Sequence, residues 1–108
     1  NFNTSSDYRL KENVVAIADG ITRVKQLQPK RFNFIVDSDT TVDGFIAHEA
    51  QTVVPEAVTG TKDQVDKDGE AVMQDMDQSK LVPLLTAALQ EAIAKIETLE
   101  TKVAALEG

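Results

Sequence analysis

The chain has 108 residues, no cysteine, one histidine and a formal charge of −7. That length suits one small domain, whose limited buried surface makes partners or oligomerisation useful for stability. The acidic balance argues against a nucleic-acid or anionic-membrane surface, the lack of thiols excludes disulfide and thiolate chemistry, and one histidine cannot build a His-rich metal site.

Other classes fall away as easily. No apolar run approaches the roughly 20 residues of a membrane span. Asn1-Phe2-Asn3-Thr4 has neither the basic region nor the apolar core of a signal peptide. The chain opens without Met and reads as the end of something longer.

Residues 1–13 are polar and short of structure signals. Val14, Ile17, Ala18, Ile21, Val24 and Leu27 then recur at steps of three and four, which predicts a helix face. Gly20 weakens that helix, so it begins as late as Ala18, and Pro29 stops it. Arg31–Val36 alternates Phe32, Phe34 and Val36 and predicts a strand. A turn at 37–40 leads to a second strand over Val42–Ala47. His48–Val54 reads as a short helix ended by Pro55. The stretch 59–68 is polar, Asp68-Gly69 marks a hairpin turn, and Ala71–Met76 returns as a strand.

The last segment carries the strongest pattern. Asp77 or Ser79 caps a helix, and Pro83 falls in its first turn, where a missing N–H does least harm. Val82, Leu89, Ile96 and Val103 take heptad position a; Leu85, Ala92, Leu99 and Leu106 take d. Lys95 and Lys102 at g can meet Glu100 and Glu107 at e of a parallel, in-register neighbour. β-branched a residues with Leu at d favour two chains, whereas Ile93 at e and Ala88 at g widen the apolar face and suit three.

Three groups carry possible chemistry. Ser6 and Lys11 are a nucleophile and a base if packing joins them, because a hydroxyl needs its proton removed and burial disfavours an ammonium. A serine and a lysine five residues apart are common, and their spacing alone says almost nothing. Gln64–Asp75 faintly resembles a calcium loop, but position one is Gln and position twelve is Asp, so a solvated turn is the reading. His48 beside Glu49 reads as a hydrogen-bonding or surface histidine. No metal site and no cofactor are expected.

Taken in order, five blocks resemble a known family: Ser6-Asp7-Tyr8-Arg9-Leu10-Lys11-Glu12-Asn13, Leu27-Gln28-Pro29, Gly44-Phe45-Ile46-Ala47-His48-Glu49-Ala50-Gln51, Val54-Pro55-Glu56-Ala57-Val58 and Asp77-Gln78-Ser79-Lys80-Leu81-Val82-Pro83-Leu84-Leu85. The chain looks like the C-terminal intramolecular chaperone of phage endosialidases, tail fibres and neck appendages, a self-cleaving domain. The resemblance implies an α+β domain over 7–78, a coiled-coil helix over 79–108 forming a parallel trimer, and a tail of the upstream protein at 1–6. It implies that Ser6 attacks its own carbonyl carbon, that Lys11 is the base, and that the Ser6–Asp7 bond is cut.

By the same resemblance, three chains come into register through Leu85, Leu89, Ala92, Ile96, Leu99, Val103 and Leu106. They then assist folding of an upstream β-rich stalk or tailspike of the same precursor. This would take place in the host cytoplasm during phage assembly, with release from the mature fibre after cleavage. Two other readings remain: a trimerisation cap that never cuts, and a coiled-coil adaptor for a partner helix.

Overall fold

A computed structural model describes residues 5–108, so Asn1–Thr4 of the expected upstream tail lie outside the described residues. A single 3-10 turn, Tyr8–Leu10, opens the structure. Residues 11–19 then form neither helix nor strand, with Asn13 in the left-handed region at φ 54°. Helix α1 spans only Gly20–Val24. This corrects the longer helix expected from the Val14 to Leu27 spacing. Val14 and Val15 are adjacent, β-branched and 79% and 84% exposed, so they form no buried helical face.

Strand β1, Lys30–Phe32, pairs antiparallel with β2, Val42–Gly44, in a register that places Arg31 opposite Asp43. Those side chains meet at 2.7 Å across the ladder. The expected strands are each shortened at the C-terminal end. Ile35–Asp37 forms a 3-10 turn in place of the end of the first strand. Ala47 already belongs to helix α2, Ala47–Gln51, which starts one residue earlier and stops three residues sooner than the spacing predicts. Phe34, Ile35 and Val36 are consequently lifted into solvent; the last two are each 97% exposed.

Pro55–Ala57 forms a 3-10 turn after α2. Strand β3, Val58–Thr59, pairs with β4, Asp75–Met76. Between them the chain forms the hairpin that Asp68-Gly69 predicts. Gly69 sits at φ 79°, a conformation glycine takes without penalty. The Asp66 carboxylate accepts the N–H groups of Asp68 and Glu70, so this acid is occupied in closing the turn. Only the last two residues of the expected 71–76 strand are in a named strand, and they pair with β3.

Asp77 accepts the Ser79 N–H at 3.0 Å and the Ser79 hydroxyl at 2.6 Å, starting a 3-10 turn over Gln78–Leu81. Helix α3 follows from Val82 to Glu107, with Pro83 in its first turn. A 26-residue helix is about 39 Å long, which accounts for much of the chain's 70 Å extent.

The core is small. Ala50, Val53, Val54, Ala57 and Val58 close on Leu81 and Leu84 from the start of α3, rimmed by Val24, Leu27, Phe45, Ala47 and Met76. Helix α1 lies along α3, and Gly20 makes that approach possible. A Cβ at Gly20 would stand 2.6 Å from the Ala88 nitrogen and 2.9 Å from the Ala87 carbonyl carbon. Ala88, expected to widen the apolar seam, is buried at this crossing instead.

Candidate self-cleavage site and assembly face

The Tyr8–Leu10 turn brings Ser6 and Lys11 together. Leu10 N–H donates to the Asp7 carbonyl and Lys11 N–H to the Tyr8 carbonyl, each at 3.1 Å, which folds the chain back on itself. Lys11 Nζ then donates to Ser6 Oγ at 2.7 Å. Both residues are exposed in the single chain. With the amine neutral the same contact runs the other way, the hydroxyl donating to nitrogen, which is the arrangement for removing the serine proton. The bond between Ser6 and Asp7 lies directly beside this contact.

Asp7 and Arg9 form an ion pair within the turn, with Arg9 Nη2 at 2.9 Å from Asp7 Oδ2. The Arg9 side chain, and then its backbone N–H, hold the Asp7 carboxyl below the ordinary carboxylate range. Asp7 in turn pushes the Arg9 guanidinium up.

Ser6 and Lys11 open onto a cavity of about 440 Å³. Its polar wall is Arg23, Glu56, Ser79 and Lys80; its floor includes Ile17, Val54 and Leu84. Arg23 is fixed there because its guanidinium donates to the Val53 carbonyl at 2.9 Å. Sequence reasoning assigned none of these four a place at the site. Glu56, Ser79 and Lys80 stand in quoted blocks, but nothing in their spacing from Ser6 says that the 3-10 turns Pro55–Ala57 and Gln78–Leu81 return to it. Arg23 carried no signal.

His48 is half-buried on α2 and away from this cavity lining. Its neighbour Glu49 faces Lys30 at 3.7 Å. That separation is too long for a hydrogen bond, and Glu49 Oε1 has none.

Helix α3 has two unlike faces. Leu84, Ala87 and Ala88 are buried against α1 and the core, as is Leu81 in the turn just before the helix. The a and d residues lie elsewhere on the helix: Leu85 is 45% exposed, Leu89 61%, Ile96 54%, Leu99 58%, Val103 50% and Leu106 87%. Ala92 is half-buried. Every residue from Ile93 to Gly108 is exposed, so this half of the helix has no packing support from its own chain. No helix among the described residues is long and apolar enough to cross a membrane.

The family model described as chaperone of endosialidase, of the S74 peptidase group, matches residues 6–59, half of the chain. The chain belongs to this family of peptidase-like chaperone domains. The match begins at Ser6 and ends with β3, so it includes the Ser6–Lys11 turn and stops before α3. No curated protein matches the chain.

Proposed function

We propose that the chain is an intramolecular chaperone that forms a parallel trimer through α3 and releases itself by cutting its own Ser6–Asp7 bond. The observation that carries this reading is the 2.7 Å contact between Lys11 Nζ and Ser6 Oγ beside that bond, in a chain of the endosialidase-chaperone family.

In the proposed reaction, neutral Lys11 Nζ takes the Ser6 hydroxyl proton as Oγ attacks the Ser6 carbonyl carbon. The carbon–nitrogen bond to Asp7 breaks, and Lys11 returns the proton to the departing amine. The acyl group has then moved from nitrogen to oxygen. The ester closes a four-membered ring, whose strain favours opening by water to a free carboxylate. Because every reacting group but the water belongs to one chain, positioning supplies much of the rate. The single chain leaves Lys11 exposed, so the desolvation that helps a lysine act as a base has to come from neighbouring chains. On this reading assembly precedes cutting.

The seam Leu85, Leu89, Ala92, Ile96, Leu99, Val103 and Leu106, exposed except for the half-buried Ala92, supports the assembly step. An isolated helix of about 15 residues is marginal in water, so the outer half of α3 gains its stability by packing on partner helices. The client in this reading is an upstream β-rich stalk or tailspike of the same precursor. Such folds depend on slow long-range pairings, and a nucleus of local helical contacts holds three chains in register while they form. The exposed Phe34, Ile35 and Val36 give the domain an apolar surface for such contacts. The setting would be the host cytoplasm during phage assembly, with the chaperone leaving the mature fibre after the cut.

Intact mass under denaturing conditions tests the cut. Wild type is expected to lose Asn1–Ser6, whereas Ser6→Ala and Lys11→Ala stay whole. Intact wild type from an assembled trimer would reject self-cleavage and leave a trimerisation module.

A further inference from the structure

The turn between Ser6 and Lys11 has little to hold it shut. Three residues of 3-10 helix have poor hydrogen-bond geometry, and Tyr8 and Leu10 are 82% and 71% exposed, so apolar packing contributes little. What spans the turn is a pair of side chains. Arg9 donates to Asp7 three times: its backbone N–H to Oδ1 at 2.9 Å, Nε to Oδ1 at 3.0 Å and Nη2 to Oδ2 at 2.9 Å. One carboxylate thereby caps the turn and takes the guanidinium on both oxygens. The planar fork of arginine matches this geometry and the ammonium of lysine does not.

Exposed ion pairs add little to global stability, so stability does not explain the arrangement. Its location does: Asp7 is the residue on the far side of the scissile bond, and Lys11 follows the turn.

We propose, resting on the self-cleavage reading above, that Asp7 and Arg9 form a positioning clasp that locks the Tyr8–Leu10 turn and so holds Lys11 Nζ against Ser6 Oγ. Neither residue gives or takes a proton in the reaction. Their work is to keep base and nucleophile in register through a turn that would otherwise open. A carboxylate and a guanidinium are both charged at neutral pH, and Arg9 holds the Asp7 carboxyl lower still.

The chain has no cysteine, so Ser6→Cys introduces one thiol whose titration reads the distance to Lys11 without requiring cleavage. Alkylation by iodoacetamide as a function of pH, followed by intact mass, gives its pKa. With the Lys11 ammonium beside it, that thiol should titrate about one unit below the usual value of roughly 8.5. Lys11→Ala in the same background should restore the usual value. Arg9→Ala and Asp7→Ala should each raise the thiol toward it as well, Arg9→Lys and Asp7→Asn less.

The shared direction is decisive. A change of local charge alone would move the thiol up for Arg9→Ala and down for Asp7→Ala. Opposite shifts, or no shift, would overturn the clasp, as would a Ser6→Cys thiol that does not sense Lys11 at all. In the chain with Ser6 intact, both alanine variants should still trimerise but cut roughly tenfold to a hundredfold more slowly. If wild type stays whole while the thiol behaves as expected, the cleavage reading fails and the clasp stands. If Arg9→Ala and Asp7→Ala cut at the wild-type rate, the clasp fails and the cleavage reading stands.

Discussion

The Glu91 carboxylate grips the first turn of α1 at Gly20. Gly20 N–H donates to Oε2 at 2.7 Å and Ile21 N–H to Oε1 at 3.1 Å, across 71 and 70 residues of chain. Two N–H groups that a short helix leaves without partners are thus satisfied by α3, and the negative charge faces the positive end of α1. This contact fastens α1 to α3, and with it Arg23 and the irregular segment that leads back to Lys11.

Gly20→Ala should destabilise the chain although alanine is the better helix former. Propensity favours alanine by about 1 kcal/mol. Against that, the added Cβ meets backbone atoms at 2.6 and 2.9 Å, which cannot rotate away. Forcing α1 off α3 costs about 1–3 kcal/mol or more. Chemical denaturation should show a lower midpoint for Gly20→Ala; an equal or higher one would mean that the crossing is loose.

Glu91→Ala leaves the N–H groups of Gly20 and Ile21 without their acceptor at a partly buried contact. The expected loss is about 1–3 kcal/mol. Glu91→Gln retains one oxygen and should lose less. Thermal unfolding of the two variants beside wild type gives the order.

Leu84 and Leu85 are neighbours with opposite roles. Leu84 is 2% exposed and packs in the core, whereas Leu85 is 45% exposed on the seam. Leu84→Ala should cost about 2–5 kcal/mol at any protein concentration. Leu85→Ala should leave the single chain's core intact and weaken association, seen in sedimentation as a shift toward monomer on dilution. Leu99→Asp puts a charge into the seam and should abolish both trimer and cut. A monomeric Leu99→Asp protein that processes normally would separate cleavage from assembly.

Acid should weaken the start of α3 through Asp77. Its carboxyl is held down first by the Ser79 hydroxyl, then by the Ser79 N–H, with Lys80 nearby. A folded-state value below the unfolded one means that this cap contributes fully above the ordinary carboxylate pKa of about 4, and the contribution is lost as pH falls through the lower folded value. Helicity between pH 6 and 2 should therefore fall less steeply in Asp77→Asn, which still offers a capping oxygen but does not titrate. Identical curves would assign the acid transition to other carboxylates, such as Asp43, which Arg31 holds down in the same way.

Local order was legible wherever neighbours in sequence decide it. The repeat from Val82 to Leu106 specifies one helix and an apolar stripe without reference to anything distant, Pro83 and Asp77 mark its start, and Asp68-Gly69 marks a turn because glycine alone takes that backbone freely. The same local rules failed at 14–19. Val14, Ile17, Ile21 and Val24 have helical spacing, yet Asn13 is left-handed, Val14 and Val15 face solvent, and the helix starts only where α3 supplies Glu91 as its cap.

The candidate site divides along the same line. Ser6, Asp7, Arg9 and Lys11 lie within six residues, so a single turn joins them. Arg23, Glu56, Ser79 and Lys80 reach the same cavity from three further parts of the chain. Their convergence depends on which face of α3 the domain covers, and the heptad pattern is silent on that. Gly20 bears on it, because its missing side chain admits α1 onto Ala87 and Ala88, while Leu89 stays exposed and Ile96 and Leu99 lie beyond that crossing. Periodicity can propose an apolar stripe, but only close packing in three dimensions determines which surface is already occupied and which remains for another chain.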